Sequence, residues 1–190
     1  DSVAVDYCGG PEDVRQAHQK FADAIVKAGR PMELSVCCLG RGEAYKWTPA
    51  MSKGMMAALP GAVAGNMRLV GDIGNSWNAT LPPTRSVLST YDFIQAITDL
   101  WDYGMGNESG TYPNYGQFAI GTPKNRPTIG DPGLTLVEAQ SHFSLWSMAQ
   151  SILVATNDVR ERDPQIEHIL LNPETIAVNQ VCGFCVVIVF

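Results

Sequence analysis

Two aspartates stand where a buried apolar residue would be expected. Val3-Ala4-Val5-Asp6-Tyr7-Cys8 is a short β-branched run that ends in a carboxylate and then Gly9-Gly10, the pattern of a buried strand running into a loop. Met67 to Ile73 reads the same way and carries Asp72 near its end. Two carboxylates flanking a glycosidic bond serve as nucleophile and acid/base, and in retaining enzymes they sit roughly 5–5.5 Å apart. The plainer alternative makes one a helix cap and the other the ion-pair partner of Arg68. Arg68 precedes Asp72 by four residues, and positions i and i+4 of a strand share a face. A guanidinium there holds a sugar hydroxyl, keeps a carboxylate ionised, or forms an ordinary ion pair.

Other reactive side chains lack partners at useful spacing. His18, His142 and His168 all fall in helical stretches without metal-ligand spacing, which reads as surface or satisfied core histidines. No serine sits in a G-x-S-x-G elbow. Cys182-Gly183-Phe184-Cys185 is a lone CxxC in an apolar tail, with neither a second pair for zinc nor a following helix. Cys8 and Cys37 end neighbouring strand candidates, so a bridge between them is sterically feasible. Trp47, Trp77, Trp101 and Trp146 can stack on sugar rings, though core packing explains most tryptophans.

The elements that must position these groups alternate. After the first strand, Pro11 to Ala28 has helical apolar spacing, with Glu12 and Asp13 at its N-terminus and Gly29 at its C-cap. Met32 to Cys37 is the next strand, and Ala44 to Ala64 is a Met- and Ala-rich helix broken at Pro60. Tyr91 to Tyr103 and Leu136 to Gln150 are helical, and Ile152 to Thr156 is a strand ending at Asn157-Asp158. Gly104 to Gly133 is the longest irregular segment. Asp163-Pro164 caps a helix through Leu171, and Asn172-Pro173 starts another. Short strands alternating with helices, without hairpin signals, predict parallel βα units. Acids or amides at strand carboxyl ends (Asp6, Asp72, Asn157-Asp158) fit an α/β barrel. A doubly wound sheet is disfavoured, because Gly61, Gly65 and Gly71 do not make a GxGxxG fingerprint.

Composition agrees with one such domain. The chain has 190 residues, 45% apolar and 17% charged, which excludes a disordered tail or coiled coil. A net charge of −6 repels nucleic acid and anionic membrane alike, and no apolar run approaches a membrane span. The start, Asp1-Ser2-Val3, has neither Met nor a signal peptide and reads as a processed product or fragment. Two N-x-S/T sequons, Asn78-Ala79-Thr80 and Asn107-Glu108-Ser109, with a feasible cystine, lean toward a secretory compartment, secreted or vacuolar/lysosomal.

Five segments together resemble glycoside hydrolase family 27, the α-galactosidases and α-N-acetylgalactosaminidases. Gly133-Leu134-Thr135-Leu136 through His142-Phe143-Ser144-Leu145-Trp146-Ser147-Met148 resembles its "GLT…E…HFSLWAM" helix. Thr156-Asn157-Asp158-Val159-Arg160 resembles "GNDVR". Leu170-Leu171-Asn172-Pro173-Glu174 with Ile176-Ala177-Val178-Asn179-Gln180 resembles "LLNKEVIAVNQ". Asn66-Met67-Arg68-Leu69-Val70-Gly71-Asp72-Ile73 resembles "SWRITGDI", and Asp6-Tyr7-Cys8 resembles the nucleophile strand "KYDNC". The segments keep the family's order.

The resemblance implies a (β/α)8 TIM barrel, here about strands 4–8 with their helices, over residues 1–180. Residues 181–190 then form an aberrant apolar tail. It implies Asp6 as nucleophile, Asp72 as general acid/base, Arg68 as a substrate contact and Cys8–Cys37 as a disulfide beside the site. The implied reaction is retaining hydrolysis of a terminal α-galactoside, with no metal or organic cofactor. Departures bear on the sugar. The family's lysine two residues before the nucleophile is Ala4, and Cys38 replaces the glutamate of "CEW", which reads the sugar's 2-position. The aspartates of "WNDPDML" are missing from Gly121 to Thr128. The family's first three strands are expected to precede residue 1. Without them, sheet edges and an apolar interior stand exposed, which predicts poor solubility or self-association. A catalytically inactive half-barrel or sugar-binding remnant is the alternative function.

Overall fold

The computed structural model describes residues 1–7, 9–10, 12–78, 85–96, 105–121, 133–158, 160 and 163–180. They fall into two compact units, one of residues 1–70 and 98–114, the other of residues 71–97 and 115–190.

The first unit is a parallel sheet with helical crossovers. Strands β1 (Ser2–Asp6), β2 (Glu33–Cys37), β3 (Val63–Arg68) and β4 (Tyr112–Asn114) lie side by side in chain order. Helix α1 (Val14–Ala28) connects β1 to β2 and α2 (Thr48–Ala58) connects β2 to β3, the βα rhythm that the sequence predicts. The Asp13 side chain accepts from the backbone N–H of Arg15 and Gln16, and Gly29 closes the helix at φ 66°, so α1 begins at its cap rather than at Pro11. Val14, His18, Ala22 and Ile25 face inward at spacings of four, four and three residues, one stripe of the helix. On one face of the sheet Leu34, Val36 and Met67 are all fully buried.

The opposite face of the sheet is polar. Register partners share a face, so Ser2, Ala4 and Asp6 of β1 line up with Glu33, Ser35 and Cys37 of β2. Asn66 continues the row: it accepts from the Ser35 hydroxyl (2.7 Å) and from the Asn114 amide (3.1 Å), and donates to Glu33 (2.8 Å). In this unit the expectation of an apolar interior fails, because these strands put hydrogen-bonding side chains where aliphatic layers would usually pack.

The third strand differs from its sequence reading. It spans Val63–Arg68, so Asp72 lies past its end and Arg68 and Asp72 do not share a strand. Beyond Arg68 the backbone finds other partners: the Leu69 N–H donates to the Asn114 carbonyl (3.0 Å) and the Arg85 N–H to the Asp72 carbonyl (2.7 Å). A register shift between β2 and β3 pairs Glu33 with Val63 but Ser35 with Asn66. That extra residue in β3 is a bulge. Without it, Arg68 would fall on the helix-facing side with Val36; with it, Arg68 joins Asp6 and Cys37.

The second unit is helical, with isolated parallel bridges Ile73–Arg85 and Phe118–Ala155. Helices α3 (Val87–Ala96), α4 (Leu136–Met148), α5 (Pro164–Leu170) and α6 (Pro173–Gln180) belong to it. Thr135 and Glu138 form a reciprocal capping box on α4, Asp163 caps α5 as the sequence implies, and the Asn172 side chain accepts from the Thr175 N–H at the start of α6 (3.0 Å). Ile152 to Thr156 is not a strand: only the Phe118–Ala155 bridge forms there, and the Thr156 hydroxyl donates to the Phe118 carbonyl (2.5 Å). The core is Phe118, His142, Phe143 and Trp146, each at most 3% exposed.

Candidate active site

The carboxyl ends of three adjacent strands bring together Asp6, Cys37 and Arg68. Asp6 and Cys37 are direct register partners, which sets the Cys37 thiol beside the Asp6 carboxylate. Val36 pairs with Met67, so Cys37 and Arg68, each one residue further on, extend that row. Burial, then the hydrogen bond to Asp6 and its negative charge, push the Cys37 thiol up to about 11 against the opposing pull of Arg68. One thiol thus senses both the carboxylate and the guanidinium. At neutral pH it is a neutral S–H donor.

Each group is fixed by its surroundings. Asp6 is exposed on the open face. The loop after it is tied down by Tyr7, whose backbone N–H donates to the Cys37 carbonyl (2.8 Å) and whose single hydroxyl proton is shared between the carbonyls of Gly10 (3.1 Å) and Glu12 (2.6 Å). Behind Asp6, the fully buried His18 places Nε2 3.2 Å from the Val5 carbonyl and Nδ1 2.8 Å from that of Val14. It is a buried core histidine lying between two carbonyls, and the tautomer decides which of them its ring N–H serves. Arg68 is 8% exposed and donates from Nε to the Val70 carbonyl (3.1 Å). Cys38 is fully buried, with Sγ 3.9 Å from the Arg68 carbonyl oxygen, and burial raises its thiol pKa.

Sequence reasoning missed the left-handed pair after Cys38. Leu39 has φ 53° and Gly40 φ 80°. A Cβ on Gly40 would lie 2.3 Å from the Leu69 carbonyl oxygen, so only glycine lets the chain pass this close to the end of β3. The glycine was the available signal; nothing in the sequence marks Leu39, which bears the strain and stays 37% exposed.

Asp72 belongs to the second unit, where it is exposed and is followed by the Ile73–Arg85 bridge. Asp158 is held by Arg160 in an exposed ion pair (2.5 Å), and the Asn157 Oδ1 is buried without a hydrogen-bond donor. His142 departs from expectation: both ring nitrogens are buried without partners, and desolvation pushes it down to about 3. His168 is exposed, and Trp47 and Trp146 are core residues bonded to the carbonyls of Gly42 (2.8 Å) and Gly116 (3.0 Å). Cys37 and Cys38 are free thiols. Cys8, the expected partner of Cys37, lies outside the described residues, as do Trp101, the CxxC and the 181–190 tail. Among the described residues no group of three His, Cys, Asp or Glu can hold a metal ion, and no helix is long and apolar enough to cross a membrane.

An exposed carboxylate and a buried guanidinium on either side of one thiol, at strand carboxyl ends, make an arrangement able to attack or stabilise an electron-poor carbon. Known proteins carry the same framework. The chain is 28% identical over 181 residues to α-galactosidase A of Cellvibrio japonicus, covering 95% of this chain and 39% of that one. It is 25% identical to α-galactosidase 2 of Arabidopsis thaliana, covering 87% and 33%. The crystal structure of α-galactosidase I from Mortierella vinacea superposes with a TM-score of 0.72 at 22% identity, over 95% of this chain and 43% of that one. The chain therefore spans between a third and two-fifths of these curated relatives' lengths, and its sheet and helices are part of a (β/α)8 barrel. The family model described as Melibiase_2, alpha galactosidase A, matches residues 1–181, and the chain belongs to that family, glycoside hydrolase family 27.

Proposed function

We propose that this chain supplies the two catalytic acids of a retaining glycosidase that releases terminal α-linked galactose. Asp6 attacks the anomeric carbon while Asp72 donates a proton to the departing oxygen. Asp72 then removes a proton from water, which displaces Asp6 and returns the sugar with its configuration retained. The observation that carries this reading is the convergence of Asp6, Cys37 and Arg68 at the strand ends. Arg68 holds a sugar hydroxyl through its guanidinium, and the buried Cys38 acts on that contact from beneath, through the Arg68 backbone. A bridge between Cys8 and Cys37 belongs to the same proposal. It withdraws the S–H from Asp6 and leaves that carboxylate a freer nucleophile. A secreted or vacuolar setting, which favours such a bridge, is part of it too.

The test is hydrolysis of chromogenic α-galactosides by the purified chain. Asp72→Asn is expected to slow substrates with poor leaving groups by roughly two orders of magnitude or more, and those with good leaving groups far less. Equal loss on both, or none, would remove Asp72 from the acid/base role. A second reading, a sugar-binding remnant without turnover, is favoured by Ala4, exposed on the sheet face where the family carries lysine. It predicts galactose binding by the chain with no release of chromophore.

A further inference from the structure

We propose that Asn107 is an acceptor site for N-linked glycosylation, at the end of the sheet opposite the catalytic cluster. Asn107-Glu108-Ser109 is an N-x-S sequon, and the fold gives it the geometry of a tolerated glycan site. Asn107 is exposed in the tight Gly106–Gly110 turn, which is closed by bonds from the Gly110 N–H to the Gly106 carbonyl (2.8 Å) and from the Gly106 N–H to the Thr111 carbonyl (2.9 Å). Its Oδ1 accepts from the Tyr112 hydroxyl. That orients the amide, and no described residue accepts a hydrogen bond from its Nδ2.

The turn is anchored rather than loose. The Ser52 hydroxyl of α2 donates to the Ser109 carbonyl (2.6 Å), the Thr111 hydroxyl donates to the Ala64 carbonyl (2.8 Å), and Lys53 pairs with Glu108 (3.2 Å). Ser109 is fully buried, its hydroxyl taken up by Gly106 and Thr111. The sequon serine is therefore reachable only before the turn closes, so transfer precedes folding here, and afterwards the sugar stands outward on Asn107. Reaction is with a lipid-pyrophosphate-linked oligosaccharide. The Asn107 Nδ2 forms the bond to the anomeric carbon, and the lipid pyrophosphate leaves with loss of one amide proton. The turn sits at the amino end of β3, near Ala64, whereas Arg68 ends that strand. The rise from Ala64 to Arg68 separates them by roughly 13 Å, so a glycan here leaves the catalytic end clear. The other sequon begins at the exposed Asn78, but its remaining residues lie outside the described set.

The experiment is expression of the full chain behind a secretory leader in a eukaryotic host. The secreted protein would be deglycosylated enzymatically in heavy-oxygen water and mapped by peptide mass. The expected result is conversion of Asn107 to heavy-labelled aspartate in most molecules, abolished by Asn107→Gln and by Ser109→Ala, with Asn78→Gln leaving it unchanged. Asn107 recovered as unmodified asparagine in the secreted chain would overturn the proposal. So would a glycan at Asn107 found only on chains that fail to resist protease. Neither result depends on whether the chain hydrolyses galactosides.

Discussion

The Cys37 thiol stands beside the carboxylate of Asp6, its register partner on the neighbouring strand. The contact joins the proposed nucleophile to the position where the family places a cystine, and it can be tested without any substrate. The thiol stands at about 11 because of burial first, then the bond and charge of Asp6. With the chain kept reduced, so that no Cys8–Cys37 bridge forms, alkylation of Cys37 is therefore expected to be slow at pH 8 and to accelerate only as the pH nears that value. Asp6→Asn removes the negative charge and lowers the thiol, so alkylation at pH 9 should rise several-fold, read by peptide mass. An unchanged rate would show that burial alone sets the thiol.

His142 makes stability depend on pH. Its folded value of about 3 lies below its ordinary value of 6.5 because the ring is buried without partners. Below pH 6.5 the unfolded chain takes up a proton that the folded chain refuses. Stability is thus full above 6.5 and falls as the pH drops toward 3, at up to about 1.4 kcal/mol per pH unit. His142→Phe should flatten urea unfolding across that window. A wild-type profile that is flat from pH 6.5 to 4.5 would contradict the burial of a neutral ring.

His18 links the strand before Asp6 to α1 through the carbonyls of Val5 and Val14. His18→Ala leaves a cavity in a fully buried position and strips both contacts, and about 2–4 kcal/mol of unfolding free energy should go with them. Denaturant titration measures it; a loss below about 0.5 kcal/mol would mean that the ring is a spectator.

At Gly40 both backbone and space demand glycine. Gly40→Ala is expected to cost roughly 2 kcal/mol or more, since the methyl meets the Leu69 carbonyl at positive φ. Leu39→Gly, relieving strain at the preceding residue, should be neutral or stabilising. Thermal unfolding of the two variants checks the pair, and equal behaviour would refute the assignment of strain.

The first half of the chain was readable where local signals and tertiary packing agree. Gly29 bounds α1 in both sequence and structure, because a cap is a local hydrogen-bonding decision, whereas the Asp13 cap starts the helix later than the Pro11 boundary read from the sequence. The strand pattern and the family segments located Asp6 and Arg68, yet the reason they share a sheet face was hidden. It depends on one extra residue in β3, and Gly65 alone hinted at it. The Met67 to Ile73 reading failed because apolar Leu69 and Val70 continue the strand's hydrophobicity after its ladder has ended. His142 lies in a helix like any core residue, and only the packed structure shows that nothing answers its nitrogens. The polar sheet face was equally hidden. Nothing in the sequence marks Glu33, Ser35 and Asn66; the register shows them bonded in a row.

The central claim is that Asp6 forms a covalent bond to the sugar. The most direct measurement is to incubate the purified chain with an activated, fluorinated α-galactosyl donor whose intermediate hydrolyses slowly, and then to map the labelled peptide by mass. A fluorogalactosyl ester on Asp6, absent in Asp6→Asn, is the predicted result. A label on another carboxylate, or a folded chain that turns over α-galactoside without any ester at Asp6, would contradict it.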